Sequence, residues 1–194
     1  MTGAAPRSAA RRSGRAVGAV TVLLVNGRGD ILLQRRPPDK ENGARWDKSV
    51  GGHVAAGEDF DGAALRETGE ELFDDAASSR VRLAGSRQEL RSLLATLDLG
   101  RSIAFYRAGL QLNLRDVRQA PGGGVLNVLY HVAVYLGRTD VPLDAFRPQL
   151  SEIAALRYFA PAEVDALLLR GELAPNMAFL WLTRAIELLG LVPA

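Results

Sequence analysis

The stretch Gly51-Gly52-His53-Val54-Ala55-Ala56-Gly57-Glu58, continued through Asp59 to Arg66-Glu67-Thr68-Gly69-Glu70-Glu71-Leu72-Phe73-Asp74, decides how this chain is read. Residues 60–73 have a helical rhythm. At about 100° per residue, Glu67, Glu70, Glu71 and Asp74 fall at i, i+3, i+4 and i+7 on one face. Leu65, Thr68 and Leu72 fall on roughly the opposite face, where they can pack on a sheet. Like charges at these spacings repel by a few tenths of a kcal/mol per pair, and Gly69 inside the helix costs about 1 kcal/mol relative to Ala. Local propensity therefore does not explain the pattern. A solvated acidic face accounts for any one Glu pair. Four acids on one stripe, behind the glycines at 51, 52 and 57, point instead to a divalent cation held by oxygen ligands and paired with phosphate. The glycines let the loop turn tightly beside an anionic ligand.

Outward from this stretch, residues 17–25 are β-rich and apolar, Asn26-Gly27-Arg28-Gly29-Asp30 has turn chemistry, and residues 31–35 resume as a strand, together a hairpin. Pro37-Pro38 closes the strand and opens a polar loop to about Lys48. Ser86-Arg87-Gln88-Glu89 has capping-box spacing and predicts a short helix over 87–97. Residues 102–108 and 125–136 read as strands around the Gly122-Gly123-Gly124 turn. Pro161 with Val164, Leu167 and Leu168 predicts a helix over 161–170. A last helix over 176–189 is expected to bury Phe179, Leu182 and Ile186. This order gives an α+β layered domain and not a βαβ repeat.

Composition bounds the function. The 194 residues suit one domain; 47% are hydrophobic and 24% charged, as in a globular protein with a real core. No apolar run is long enough for a membrane span. The chain has no cysteine, which excludes disulfides, thiolate metal sites and cysteine nucleophiles. The pI near 9.3 suggests nucleic acid, but Arg7, Arg11, Arg12 and Arg15 carry it; without them the formal charge of +2 becomes −2 over residues 16–194. Residues 1–15 read as a disordered basic leader, with an organellar transit peptide as the minority reading and the cytoplasm as the expected compartment. Residues 16–194 read as a single domain.

The acidic stretch resembles the Nudix box, G-x5-E-x7-R-E-U-x-E-E-x-G-U, where U is a bulky aliphatic residue. Gly52, Glu58, Arg66, Glu67, Glu70 and Glu71 match at every fixed spacing. Thr68, Phe73 and Asp74 depart from it, at packing positions and at the helix C-terminus. Ile31 to Arg36, Lys40, Trp46-Asp47 and Ser49 resemble the branch related to isopentenyl-diphosphate isomerase, whose own activity needs a cysteine that this chain lacks. Ser151-Glu152-Ile153 to Tyr158-Phe159, then Ala162-Glu163, resembles a late Nudix strand and helix start.

The resemblance implies a Nudix-type α/β/α sandwich with a mixed sheet, carrying an insertion within about 76–124. It implies hydrolysis of a diphosphate in a nucleoside diphosphate-X type or other organic substrate. Glu67, Glu70 and Glu71 would ligate Mg²⁺, with Mn²⁺ as substitute, and Glu58 would be a nearby ligand or an acceptor behind the ligands. Arg66 would orient a carboxylate, and Glu67 or Glu152 would act as general base. Arg35, Arg36 and Trp46, with Gly51, Gly52 and His53, would contact substrate. The expected partner is a small diphosphate, without membrane or nucleic acid; a homodimer is compatible with the sequence. Family patterns for ADP-ribose, diadenosine polyphosphate, coenzyme A and NADH substrates are missing. Two rival readings stand beside hydrolysis of a small molecule: a binding or regulatory module with weak or no catalysis, and an RNA-end hydrolase using the basic leader.

Overall fold

A computed structural model describes residues 14–120 and 123–193. The leader expected over 1–15 therefore lies outside the described residues except for Gly14 and Arg15, as does Gly122 of the glycine turn. The hairpin forms as predicted: β1 (Val17–Val25) and β2 (Ile31–Arg35) are antiparallel, joined by a turn in which Gly29 has φ +89°. The Asn26 carboxamide oxygen accepts from the main-chain N–H of Arg28 and Asp30 and fixes that turn.

β1 and β2 pair only through Leu24–Leu32 and Val25–Ile31, and then diverge. Two short strands fill the fork. β3 (Trp46–Asp47) pairs with β2, and β4 (Val50–His53) pairs with β1 along Ala19–Val22. Ser49, fully buried, plugs the point of divergence: its hydroxyl accepts from Leu24 N–H at 2.9 Å and donates to the Leu32 carbonyl at 2.5 Å. It replaces the ladder bond that the fork removes.

The far edge of β1 runs parallel to β7 (Val125–Thr139), which pairs antiparallel with β6 (Ile103–Gln119); β6 pairs in parallel with β5 (Val81–Ala84). β8 (Ala155–Phe159) lies antiparallel on β2. The result is a mixed eight-stranded sheet. β6 is 17 residues long and continues well past the strand expected over 102–108. In its second half Leu110, Leu112 and Leu114 alternate with Gln111, Asn113 and Arg115, and two register shifts, one next to Asn113 at φ 56°, interrupt its pairing with β7. The segment 76–124, expected to hold an insertion, supplies β5, the helix over 87–94 and β6.

Helix α1 (Phe60–Phe73) covers one face of the sheet through Ala63, Ala64, Leu72 and Phe73, packed on Val20, Val22, Leu24 and Tyr135. Helices α2 (Arg87–Leu94), α3 (Pro161–Leu169) and α4 (Pro175–Leu189) cover the other, through Leu90, Val164, Leu167, Leu180 and Trp181. Alternate residues of β1 serve the two cores, which is why the strand is apolar throughout. These three layers make the α/β/α sandwich. At α2, Ser86 caps Glu89 N–H, while the Glu89 carboxylate accepts from Gly85 N–H, one residue before the reciprocal partner of a full capping box.

One expectation is corrected. Phe179, Leu182 and Ile186 do not form the inner face of α4; they are 42%, 73% and 92% exposed, while Met177, Leu180, Trp181 and Leu188 are buried. The helix is apolar nearly all round, so hydrophobicity alone left its phase undetermined. Trp181 sets it, donating from Nε1 to Asp165 of α3 at 2.7 Å. Among the described residues no helix is long and apolar enough to cross a membrane.

Candidate active site

Asp59 caps α1 by accepting from Gly62 N–H at 2.7 Å. At the other end Asp74 takes the left-handed conformation at φ 54°, its N–H bonded to the Glu70 carbonyl, and Asp75 N–H reaches back to Gly69. Asp74 is thus the helix cap and does not belong to the acidic stripe. A Cβ on Gly69 would stand 2.2 Å from the Asp75 carbonyl oxygen, so this helical glycine is the room in which the chain turns back. Thr68, in place of an aliphatic residue, is fully buried and donates to the Ala64 carbonyl at 2.7 Å, which satisfies its hydroxyl.

The remaining acids divide into two sets around Arg66. Its guanidinium pairs with Glu58 through Nε at 2.8 Å and Nη2 at 2.9 Å, with Glu70 and Glu67 at 2.9 Å each, and donates to the His53 carbonyl. The bond from Arg66 holds Glu58 below its ordinary pKa. Glu67 is raised, first by burial, although Arg66 opposes this. Glu71, buried, is pushed up to about 8, first by burial and then by the charge of Glu67. Its Oε2 accepts from Gln34 of β2 and Gly51 N–H of β4, so it spans the fork.

β4 admits these side chains because it is bare. A Cβ on Gly52 would lie 1.9 Å from Cδ of Glu67, and one on Gly51 would lie 2.0 Å from Cε of Lys48. Each glycine of the pair makes room for one charged side chain.

The fork, the loop after β2, the β6–β7 arm and the start of α4 enclose a cleft of about 900 Å³. Of the residues singled out in sequence, Glu67, Glu71, Glu152, Arg36, Gly51, Gly52 and His53 line it. Glu152 lines the cleft in an ion pair with Lys40 at 2.8 Å. Arg66, Glu58 and Glu70 stand behind the lining. Arg35 and Trp46 do not reach it: Trp46 packs edge-on against Phe159 with ring centres 4.7 Å apart, and Arg35 donates to the Ala44 carbonyl.

Sequence reasoning missed the cationic wall. Arg118 lies over the Tyr130 ring at 4.9 Å and pairs with Asp116 and Glu41. Asp47, buried, faces Lys48 at 3.2 Å and Arg36 at 3.5 Å. Burial alone would raise the Asp47 carboxyl, but these cations outweigh it and hold it below its ordinary value. The Arg118–Glu41 contact bridges 77 positions, and no local pattern could have revealed it.

Among the described residues no three carboxylate or imidazole groups converge on one point. Glu67 and Glu71 nonetheless could hold a divalent cation: two carboxylates on one helix, Glu71 buried and Glu67 half-buried, each disfavoured as an anion by burial. Glu70 and Glu58 reach the same neighbourhood through Arg66.

A mixed sheet between helical layers thus carries a glycine-bearing strand and a glutamate-rich helix that meet at one cleft. Residues 15–105 match the family model of the NUDIX domain, and this part of the chain is a Nudix domain. The fold is shared with solved structures of low identity. DR0079 from Deinococcus radiodurans superposes with a TM-score of 0.55 at 22% identity, over 84% of this chain and 80% of that one. The Nudix hydrolase RenU from M. smegmatis gives 0.52 at 17%, over 93% and 89%. The MutT protein from Methanosarcina mazei Go1 gives 0.51 at 15%, over 89% and 94%. No curated protein sequence matches the chain.

Proposed function

We propose that this protein hydrolyses a diphosphate linkage in a small organic substrate, of the nucleoside diphosphate-X type or another organic diphosphate, with Mg²⁺ required and Mn²⁺ able to replace it. The observation that carries this reading is the placement of Glu67 and Glu71, drawn by Gly51, Gly52 and Gln34 to the floor of a cleft large enough for a small molecule. These two residues would hold the metal, with Glu70 and Glu58 supporting through Arg66. Bound there, a divalent cation neutralises charge on the diphosphate and lowers the pKa of a water. Arg66 holds Glu58 below its ordinary pKa and orients both Glu58 and Glu70. His53 N–H donates to Glu67 at 3.2 Å and fixes that carboxylate. Either Glu67 or Glu152 accepts the proton of the attacking water. Lys40 keeps Glu152 at the cleft, and burial raises the pKa of Glu67.

The test is phosphate release from nucleoside and non-nucleoside diphosphates with Mg²⁺, comparing the wild type with Glu67→Gln/Glu71→Gln. Turnover by the wild type that falls by about a thousandfold in the double variant, and that disappears when metal is chelated, is the expected result. No turnover on any compound, with Mg²⁺ binding intact, would replace this reading with that of a ligand-binding module.

A further inference from the structure

The cleft contains one buried cation that the roles above leave unused. The Lys48 side chain is 8% exposed and its Nζ lies 3.2 Å from both Asp47 oxygens. Its stem runs over Gly51, where any side chain would displace it; the ammonium itself would be 2.9 Å from a Cβ there. An ammonium carries three N–H donors. Asp47 is the acceptor of both bonds formed by Nζ, which leaves a third N–H without an acceptor among the described residues.

Asp47, in turn, has other partners. Its Oδ1 accepts from the Lys48 main-chain N–H at 2.8 Å, and Arg36 stands 3.5 Å from its Oδ2. One carboxylate between two side-chain cations leaves positive charge on the cleft wall, whereas Arg118 nearby is matched by Asp116 and Glu41. Buried ion pairs contribute little to stability and are often replaceable by apolar groups of equal volume. Folding alone gives little reason to bury an ammonium at this place.

We propose that Lys48 is a substrate-binding residue whose ammonium donates its remaining N–H to a non-bridging phosphoryl oxygen of the diphosphate, beside the carboxylates of Glu67 and Glu71. The substrate class rests on the hydrolase reading above. The glycine at 51 is then part of the phosphate site at one remove, because it seats the lysine and not the anion.

Lys48→Met keeps the length and the apolar stem and removes the charge. The probe is methylenediphosphonate, a diphosphate that cannot be hydrolysed, titrated calorimetrically with Mg²⁺ present. Binding by Lys48→Met should weaken roughly tenfold to a hundredfold, the range for one charge-assisted hydrogen bond. Mg²⁺ affinity should not fall, because the lost positive charge acts on Glu71, and Lys48→Arg should retain most of the binding. For any substrate that turns over, KM should rise by more than kcat falls. Unchanged affinity in Lys48→Met would overturn the proposal, as would a wild type that binds no diphosphonate. If Lys48→Met fails to fold, Gly51→Ala decides: its methyl must displace the lysine stem and weaken binding, and unchanged binding sinks the idea. A wild type that hydrolyses nothing yet binds diphosphonate through Lys48 would reject the hydrolase reading and leave this one standing.

Discussion

Helices α1 and α4, of 14 and 15 residues, cover opposite faces of the same sheet and were legible to very different degrees. α1 mixes charged and small residues, and its acids recur on one face, so a rotation of one residue would have destroyed the pattern. In α4 the run Phe179-Leu180-Trp181-Leu182 offers apolar side chains in every direction. Function fixes the phase of a helix sharply, whereas hydrophobicity fixes it only when the other side is polar. The same contrast explains the buried groups: α1 turns Thr68 and Glu71 inward, and α4 turns Leu182 and Ile186 outward.

The contrast can be sharpened by measurement. Trp181→Ala on α4 should cost about 3–5 kcal/mol, read as a lowered midpoint in denaturant, because it removes a ring that is 5% exposed and its bond to Asp165. Ile186→Ala, one turn further on the exposed side, is the control and should stay within about 0.5 kcal/mol; equal losses at the two sites would reverse the phase assigned here. A smaller effect is expected on α1. Gly69→Ala, which improves helix propensity by about 1 kcal/mol in isolation, should instead destabilise by about 1–3 kcal/mol, since the new methyl meets the Asp75 carbonyl oxygen. A stabilised variant would mean that the chain does not turn back over Gly69.

The subtlest test is the pH dependence of α1. Glu71 keeps its proton to about pH 8 in the folded, metal-free protein, whereas the unfolded chain releases it near the ordinary 4.5. The folded state therefore binds more protons between those values. Stability of the metal-free protein should decline as pH rises from about 4.5 to about 8 and then level off. Glu71→Gln should remove that part of the slope. Metal binding should release a proton below pH 8, and a Mg²⁺ affinity that does not change with pH over this range would refute the assignment.

Much of the fold could be read in advance, because its signals are local: the hairpin, the glycine-acid stretch, the Ser86 cap and Pro161 each announce an element within a few residues. The hidden parts depend on distance or on irregularity. β6 was read short: Leu110, Leu112 and Leu114 alternate with polar residues, but Leu110 and Leu112 face solvent, so the alternation marks no core face. Arg36 lines the cleft and Trp46 does not: the same aromatic that could stack on a ligand is used to brace β3 against β8. Lys48 escaped notice because its significance lies in the glycine beneath it, and a lysine beside an aspartate in sequence looks like any surface pair.

Ser49 has a further consequence for how such a protein can change. A single hydroxyl holds open the separation of two strands, so the shape of the binding site is written into the main chain and not into the side chains that line it. Residues of the β6–β7 arm and the start of α4 can then be exchanged to suit a different leaving group, like tools refitted to one handle. The serine itself tolerates no such liberty, since losing its oxygen would strand the Leu24 N–H and the Leu32 carbonyl in the core.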